Sequence, residues 1–257
     1  MSTMDRFRVD GKVALVTGAG TGLGRQFATT LAEAGATVAV AARRREKLEE
    51  TAALIEDLGG SSLCLELDVT DSLSITSCVR HVTSELGALD ILVNNAGIAR
   101  QGYLTDISEE DWDAVLDTNL KGVFMVAQAV AKEMMRAEKG GSIINIASIL
   151  GLGVSKALAS YIAAKAGVIN LTKAMALEWT RANIRVNALA PGYFVTEINE
   201  KQFEQGAHEL VKQAVPMGRV GEMPEISGPL LLLASDAGSY MTGSIVAVDG
   251  GHLVRSL

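Results

Sequence analysis

Seven short runs of apolar residues recur along the chain, and longer stretches of mixed apolar and polar positions separate them. Within each run the apolar residues are consecutive and do not alternate with polar ones. Consecutive apolar positions are typical of parallel strands in a sheet that helices cover on both faces. The predicted strands occupy residues 12–18, 36–42, 62–69, 89–97, 141–148, 184–192 and 244–251.

The mixed stretches between these runs have the length and spacing of helices. Strands that alternate with helices predict an α/β fold, a Rossmann-type doubly wound sheet that is mostly parallel, seven-stranded and covered by helices on both faces. The predicted helices include residues 22–34, 46–58, 72–86, 109–136 and 160–182.

The domain organisation predicted from this pattern is simple. No linker, repeat or low-complexity tract interrupts the 257 residues, so we expect residues 1–257 to form a single domain. Residues 193–222 have the weakest pattern and follow the sixth strand, at the sheet edge where ligands bind in such folds. We expect residues 193–222 to form a lid over a substrate, with an ordinary helical insertion as the alternative.

Composition excludes several classes of protein. The net charge of −7 argues against a nucleic-acid-binding scaffold, which needs a basic face. Two cysteines are too few for a disulfide framework, and the three histidines share no metal-ligand spacing, so we predict no metal site. No apolar run approaches the roughly 20 residues of a membrane span, and no signal sequence begins the chain. We therefore expect a cytoplasmic protein.

The first predicted strand leads into a glycine-rich turn, "TGAGTGLG", at residues 17–24. Gly18, Gly22 and Gly24 lie where the strand gives way to a helix. Glycine permits a tight turn there and lets backbone N–H groups approach a phosphate at the helix N-terminus. The turn therefore predicts a site for a phosphate-bearing ligand.

The end of the second predicted strand indicates which dinucleotide would bind. An acidic residue at this position would bond the ribose 2′-OH of NAD, but the chain has Ala41 and Ala42 followed by "RRREKLEE". Cationic residues at a helix N-terminus oppose the helix dipole, so helix stability does not explain them. Arg43 and Arg44 are instead well placed for the 2′-phosphate of NADP. We expect NADP(H), with NAD(H) and a solvated basic cluster as the alternatives.

Polar residues also end the third and fourth predicted strands. Asp68 could accept a hydrogen bond from an adenine amino group, or it could cap the following helix. The sequence "NNAG" at residues 94–97 suits a sharp turn beside a ligand, and it equally suits any Asn/Gly turn. Spacing alone leaves both pairs of interpretations open.

Tyr161 and Lys165 lie four residues apart, on one face of a predicted helix. A nearby ammonium favours the phenolate and would lower the tyrosine pKa from about 10, so the pair suits general acid–base chemistry. Ser148 ends the fifth predicted strand and could stabilise a developing alkoxide beside that phenol. Asn119 interrupts a long apolar helix, where its amide could hold a water near Lys165 or mark a kink.

These segments together resemble the short-chain dehydrogenase/reductase family, in its compact single-domain branch of about 250 residues. The resemblance covers nearly the whole chain. The three residues between Tyr161 and Lys165 argue against the enoyl-reductase branch, which has a longer gap. The motifs that carry the resemblance are "VALVTGAGTGLG", "DILVNNAG", "DTNLKGVF", "INIAS", "YIAAK", "RVNALAPGYFVTE" and "MTGSIVAVDGG".

The resemblance implies a catalytic tetrad of Asn119, Ser148, Tyr161 and Lys165. Tyr161 would exchange the proton, Ser148 would polarise the carbonyl, Lys165 would lower the tyrosine pKa and bind the nicotinamide ribose, and Asn119 would position a water. The whole chain would be one NAD(P)-binding domain. The predicted cofactor-binding residues are Gly18, Thr21, Gly22, Leu23, Gly24, Arg43, Arg44, Asp68, Val69, Asn95, Ala96, Gly97, Tyr161, Lys165, Pro191, Gly192, Phe194 and Thr196.

The activity expected from these features is NADP(H)-dependent interconversion of a ketone and a secondary alcohol by hydride transfer, with a small-molecule substrate. The alternatives are an NAD-dependent polyol or gluconate-type sugar-acid dehydrogenase, a 3-oxoacyl reductase, and a catalytically silent nucleotide-binding regulator. The family usually forms tetramers or dimers through two long helices. We accordingly expect a homotetramer or homodimer that uses residues 109–136 and 160–182.

Overall fold

A computed structural model describes residues 2–196, 211 and 213–254. Its seven strands form one parallel sheet in the order β3-β2-β1-β4-β5-β6-β7, so the predicted Rossmann-type fold is confirmed. The strands are β1 Val13–Thr17, β2 Thr37–Ala42, β3 Ser61–Glu66, β4 Ile91–Asn94, β5 Gly141–Ile146, β6 Ile184–Pro191 and β7 Ile245–Val248.

Helices connect the strands and cover both faces of the sheet. The predicted helix over 109–136 is divided, because a π-helical turn at Asp117–Lys121 separates α4 from α5. The helices are α1 Gly22–Glu33, α2 Arg45–Asp57, α3 Ser72–Leu86, α4 Glu109–Leu116, α5 Gly122–Ala137, α6 Ala159–Trp179 and α7 Ser227–Ala234.

Apolar side chains fill a layer on each face of the sheet. On one face, Phe27 and Leu31 of α1 are fully buried in the same cluster as Val38 of β2. On the other, Val130 and Met134 of α5 are fully buried over the strands. Each layer uses alternate residues of the same strands, which explains why the strands are apolar at consecutive positions.

The sheet reverses its strand order beside β1, which has β2 on one side and β4 on the other. Connections leave in opposite directions from this point, so a crevice opens beyond the carboxyl ends of β1 and β4. Buried amides tie this edge to α6. Asn94 Nδ2 donates to Asn145 Oδ1 at 3.1 Å, and Asn145 Nδ2 donates to Thr172 Oγ1 at 3.0 Å.

The predicted lid falls partly on described residues. Phe194 pairs with Gly221 in an isolated parallel bridge, and Tyr193 packs edge-on against His252 with ring centroids 5.4 Å apart. Residues 197–210 and 212 of the predicted segment lie outside the described residues. The lid at 193–222 therefore stays a prediction, as does the extension of a single domain over residues 1–257.

Candidate active site

The glycine-rich turn joins β1 to α1 at the bottom of the crevice. Gly18 and Gly22 have φ values of 64° and 51°, a backbone region that side chains rarely adopt. A Cβ on Gly24 would come within 2.1 Å of the Gly18 carbonyl oxygen, so the turn also requires glycine for close packing. Helix α1 has no acidic residue in its first turn, and its positive dipole end therefore favours an anion in the crevice.

The amide of Asn95 holds this turn in place. Its Nδ2 donates to the carbonyl oxygens of Thr17 at 3.0 Å and Gly18 at 3.2 Å. The Thr17 hydroxyl in turn accepts from the backbone N–H groups of Asn95 and Ala96, both at 3.0 Å. The "NNAG" sequence thus lies beside the crevice. The Asn95 side chain lines the crevice and holds the glycine-rich turn in place.

Asp68 does not cap the helix that follows β3. Its Oδ1 accepts from the Thr70 N–H at 2.9 Å and the Thr70 hydroxyl at 2.7 Å, whereas Asp71 caps α3 by accepting from the Leu73 N–H. The bonds from Thr70 hold the pKa of Asp68 below its usual range, and the nearby charge of Arg43 lowers that pKa further. Asp68 is therefore an anionic acceptor at the crevice, close to a guanidinium.

Lys165 lies in the second turn of α6 and is 3% exposed. Its Nζ donates to the Ile146 carbonyl oxygen at the end of β5, at 2.7 Å, and lies 5.6 Å from the centroid of the Tyr161 ring. Burial lowers the pKa of the ammonium to about 8. The residue is a buried cation that one carbonyl and one aromatic ring hold beside Tyr161.

The pKa of Tyr161 in the free protein differs in direction from the sequence-based expectation. Burial raises it above 10.0, and a hydrogen bond with Ser148 only partly opposes that effect. Desolvation penalises the phenolate, and this penalty is the larger of the two effects. A neutral phenol beside a serine hydroxyl is a proton donor, which is the state needed to protonate an alkoxide.

Ser148 is oriented by the backbone that follows β5. It caps a short 3₁₀ turn, Ile149–Gly151, and its Oγ accepts from the Leu150 N–H at 3.1 Å. Because Oγ accepts this bond and Ser148 is only 8% exposed, its hydroxyl is held at the wall of the crevice next to Tyr161. A fixed hydroxyl of this kind can stabilise negative charge on a substrate oxygen.

Asn119 is fully buried in the π-helical turn and does not line the crevice itself. Its Oδ1 accepts from the Ile98 N–H and its Nδ2 donates to the Ile98 carbonyl oxygen, both at 2.8 Å. Both ends of the amide are thereby bonded to the loop after β4. The side chain therefore anchors the loop that runs past Gly97.

The far end of the crevice is closed by the chain that follows β6. Pro191 ends that strand, and Phe194 is 4% exposed. A Cβ on Gly22 would meet the Thr196 side chain at 3.2 Å, so Thr196 lies directly against the glycine-rich turn. The segment after β6 therefore spans the distance from the serine–tyrosine end to the phosphate end.

All of these elements surround one cleft of about 750 Å³. Every residue predicted to bind the cofactor lines it, and so does Ser148. Sequence reasoning missed several further lining residues; of these, Lys47 carries the clearest signal, because it belongs to the same cation-rich run as Arg43 and Arg44. The missed residues are Gly20, Ala42, Lys47, Leu67, Ile98, Thr118, Ile146 and Ala147.

Among the described residues, no group of three or more His, Cys, Asp or Glu side chains is arranged to hold a metal ion. Within the same part of the chain, no helix is both long enough and apolar enough to cross a membrane.

Known proteins match this chain over nearly its whole length. A family model described as enoyl-(acyl carrier protein) reductase matches residues 18–252. A 3-oxoacyl-[acyl-carrier-protein] reductase of Thermotoga maritima is 42% identical over 247 residues, which cover 96% of this chain and 100% of the relative. A 2-dehydro-3-deoxy-D-gluconate 5-dehydrogenase of Escherichia coli is 42% identical over 255 residues, which cover 98% of this chain and 99% of the relative.

Solved structures agree with these relatives. A short-chain type dehydrogenase/reductase from Mycobacterium marinum superposes with a TM-score of 0.95 at 43% identity, covering 98% of this chain and 99% of that one. A gluconate 5-dehydrogenase from Burkholderia cenocepacia, solved in complex with NADP and tartrate, has a TM-score of 0.95 at 39% identity, with 99% and 100% coverage. The chain belongs to the short-chain dehydrogenase/reductase family of oxidoreductases.

Proposed function

We propose that this protein is an NADP(H)-dependent oxidoreductase that interconverts a ketone and a secondary alcohol, with Tyr161 as the acid–base residue. One observation carries the proposal. A single cleft has a glycine-rich turn and a cluster of cations at one end, and a buried tyrosine, lysine and serine at the other. This arrangement suits a dinucleotide that lies along the cleft with a carbonyl substrate beside its far end.

The cleft residues suit the dinucleotide part by part. The backbone of Gly22 and its neighbours at the α1 N-terminus would hold the pyrophosphate, and Asp68 would accept from the adenine. Arg43 and Arg44 would hold a 2′-phosphate, which is absent from NAD. The gluconate 5-dehydrogenase from B. cenocepacia was solved with NADP, which supports the same preference here.

When bound, the nicotinamide would supply the hydride for carbonyl reduction or accept it in alcohol oxidation. The residues of this chain control the proton and the substrate oxygen. The Ser148 hydroxyl would polarise the carbonyl, and the neutral Tyr161 phenol would donate a proton to the oxygen as negative charge develops there. In the oxidative direction Tyr161 would act in its ionised form, and the phenolate would accept the alcohol proton.

Lys165 would assist both directions electrostatically. Its ammonium lies over the tyrosine ring and is fixed by Ile146, so it needs no rearrangement to stabilise a phenolate. The catalytic roles of Tyr161, Ser148 and Lys165 are proposed on this geometry and on the family resemblance. For Asn119 we propose a positioning role, because its side chain bonds only to Ile98 in the described hydrogen bonds.

The substrate is a carbonyl compound in this proposal, although the matching family model has an enoyl-reductase description. The interval of three residues between Tyr161 and Lys165 supports carbonyl chemistry. Relatives include reductases of 3-oxoacyl chains and dehydrogenases of sugar acids. The chain after Ser148 favours the acyl class, because it carries two exposed apolar side chains, Leu152 at 49% and Val154 at 86%.

An ion pair that involves the loop after β4 also favours acyl substrates over sugar acids. Arg100 lies on the loop after β4, and the backbone of that loop pairs with the segment after Ser148 through Gly102 and Leu158. The Arg100 guanidinium is 3.3 Å from the Asp111 carboxylate. The carboxylate of a sugar acid would have to compete with Asp111 for this guanidinium.

A substrate panel tests the proposed reaction. The protein is assayed with NADPH and with NADH against 3-oxoacyl thioesters, cyclic and aromatic ketones and 5-keto sugar acids, and in reverse with NADP⁺ and the corresponding alcohols. We expect NADPH consumption with at least one ketone and a higher kcat/KM for the acyl series. Turnover only with NAD⁺ and a polyol or sugar acid would replace the proposal with its oxidative alternative. Cofactor binding without any turnover would support the silent regulator.

We further propose that the protein self-associates through its long helices. Several large apolar side chains on these helices are exposed. The exposed fraction is between 36% and 39% for Trp112 of α4 and for Phe124 and Met135 of α5, and it is 83% for Leu177 of α6. Apolar side chains in such number on adjacent helices suit a face that a second copy covers. Light scattering should give a dimer or tetramer mass for the native chain and a lower mass for Phe124→Lys. A native monomer at micromolar concentration would refute this assembly.

We also propose a cytoplasmic location. Cys64 and Cys78 are both free thiols, as expected in a reducing compartment. Subcellular fractionation should recover the protein with cytoplasmic markers, and recovery with an extracellular or membrane fraction would contradict this.

A further inference from the structure

Lys47 lies on the cleft wall next to the glycine-rich turn, in the first turn of α2. Its side chain is 32% exposed, and a Cβ on Gly20 would come within 2.9 Å of the Lys47 Cβ. Arg43 and Arg44 line the same part of the cleft. Arg43 and Arg44 precede the helix and Lys47 lies within it, so the wall of the cleft, and not helical spacing, brings the three cations together.

Arg45, another cation in the first turn of α2, has different surroundings. Arg45 does not line the cleft, its side chain is 69% exposed, and its Nε lies 2.9 Å from the Glu49 carboxylate. The two cations therefore belong to the same first turn of α2 but face different surroundings. Of these two residues, only Lys47 lies where a ligand in the cleft could reach it.

Glu50 connects Lys47 to the glycine-rich turn. One carboxylate oxygen lies 2.6 Å from Lys47 Nζ, and the other lies 2.8 Å from Arg25 Nη2. The Arg25 guanidinium also donates to the Gly20 carbonyl oxygen at 2.7 Å and to Thr51 Oγ1 at 3.2 Å. Glu50 would keep Arg25 as a partner if Lys47 were removed, so the anchoring of the turn does not depend on Lys47.

We propose that Lys47 is a specificity-determining residue that binds the 2′-phosphate of NADP together with Arg43 and Arg44; this inference rests on the proposed function. A phosphomonoester carries close to two negative charges and three acceptor oxygens, so it can bond more than one cation. The Lys47 side chain lines the cleft beside Gly20, in the part of the wall that Arg43 and Arg44 also line. Binding of the phosphate would turn the ammonium from Glu50 toward the ligand, and Arg25 would continue to neutralise Glu50.

The test uses two nucleotides that differ only in the 2′-phosphate, adenosine 2′,5′-bisphosphate and adenosine 5′-monophosphate. Their dissociation constants are measured by calorimetry on the native protein, Lys47→Gln, Lys47→Arg and the matched control Arg45→Gln. Lys47→Gln should weaken the bisphosphate about five- to thirtyfold, because it removes one charge-assisted bond that was shared with Glu50. It should leave the monophosphate unchanged. Lys47→Arg should retain most of the affinity, and Arg45→Gln should stay within about twofold of the native protein.

The outcomes separate the failure of this inference from that of the proposed function. If the native protein prefers the bisphosphate and Lys47→Gln behaves like Arg45→Gln, Lys47 does not bind the phosphate, while the proposed NADP preference stands. A loss that is equal for both nucleotides would mean that Lys47 supports the fold of the turn, which also overturns the inference. If the native protein does not distinguish the two nucleotides, the NADP preference itself fails and the inference fails with it.

Discussion

Replacement of Lys165 with Met should stabilise the free protein at neutral pH while it removes a proposed catalytic group. The ammonium is 3% exposed, and its burial lowers the pKa from 10.5 to about 8. At about 1.4 kcal/mol for each unit of pKa, holding the charge in the folded state at pH 7 costs roughly 3 kcal/mol. The lost hydrogen bond to the Ile146 carbonyl offsets about 1 kcal/mol of the gain. The variant should therefore be about 2 kcal/mol more stable at pH 7.

The pH dependence distinguishes this electrostatic effect from a packing effect. Between about pH 8 and 10.5 the unfolded chain still holds the Lys165 proton that the folded chain has released. The unfolded state then binds more protons, so the stability of the native protein rises with pH across this window. The native protein should recover about 2 kcal/mol by pH 9.5, and the advantage of the variant should nearly vanish there.

The assay is denaturant unfolding of cofactor-free native protein, Lys165→Met and Lys173→Met at pH 7 and pH 9.5, at one protein concentration. Lys173 is exposed on the same helix, so its replacement should change stability little and equally at both pH values. Restricting the range to pH 9.5 avoids the titration of Tyr161, whose pKa is raised above 10.0. An advantage of Lys165→Met that is the same at both pH values, or a variant less stable than the native protein at pH 7, would refute the reasoning.

Two other substitutions test the geometry of the cleft. Gly24→Ala should destabilise the protein by at least about 2 kcal/mol and abolish nucleotide binding, because its Cβ would lie 2.1 Å from the Gly18 carbonyl oxygen. Thermal unfolding measures the first effect and nucleotide calorimetry the second. An unfolding midpoint equal to that of the native protein would contradict the prediction. Asn119→Ala should lower stability by about 2–4 kcal/mol, because it leaves both backbone groups of Ile98 without the bonds they make to the amide. Loss of activity with unchanged denaturant stability would show instead that Asn119 acts on the chemistry and not on the loop.

Much of the fold could be predicted because consecutive apolar residues identify buried parallel strands. The strand ends were less accurate: the fourth was predicted over 89–97 but forms Ile91–Asn94. The difference has a physical cause, since the residues after Asn94 leave the ladder and line the cleft. Their apolar and small side chains suit a ligand as well as they suit a strand, so the pattern does not distinguish the two.

The division of the helix at 109–136 could be anticipated only through Asn119. A π-helical turn requires one extra residue in the backbone and has no characteristic composition. What marks it in the sequence is a polar amide among apolar residues, and only the structure shows that this amide bonds to Ile98.

The sequence predicts which residues of the site meet, but it does not predict the direction of their pKa shifts. The spacing of Tyr161 and Lys165 correctly brings the two side chains together. The direction of the tyrosine pKa depends on burial, which follows from packing with distant elements and cannot be read from four residues of separation. Lys47 was missed for a similar reason, because its position on the cleft wall depends on how closely α2 packs against Gly20.

The most direct test of the central claim is a comparison of native protein with Tyr161→Phe, in which NADPH affinity and turnover of the best ketone are measured on the same preparations. The substitution removes only the phenolic oxygen, so the account predicts an NADPH dissociation constant within about threefold of the native value. It predicts a fall in kcat of at least about a hundredfold, because the substitution removes the group proposed to donate the proton. Turnover near the native rate, with NADPH bound normally, would contradict the assignment of Tyr161 as the acid–base residue.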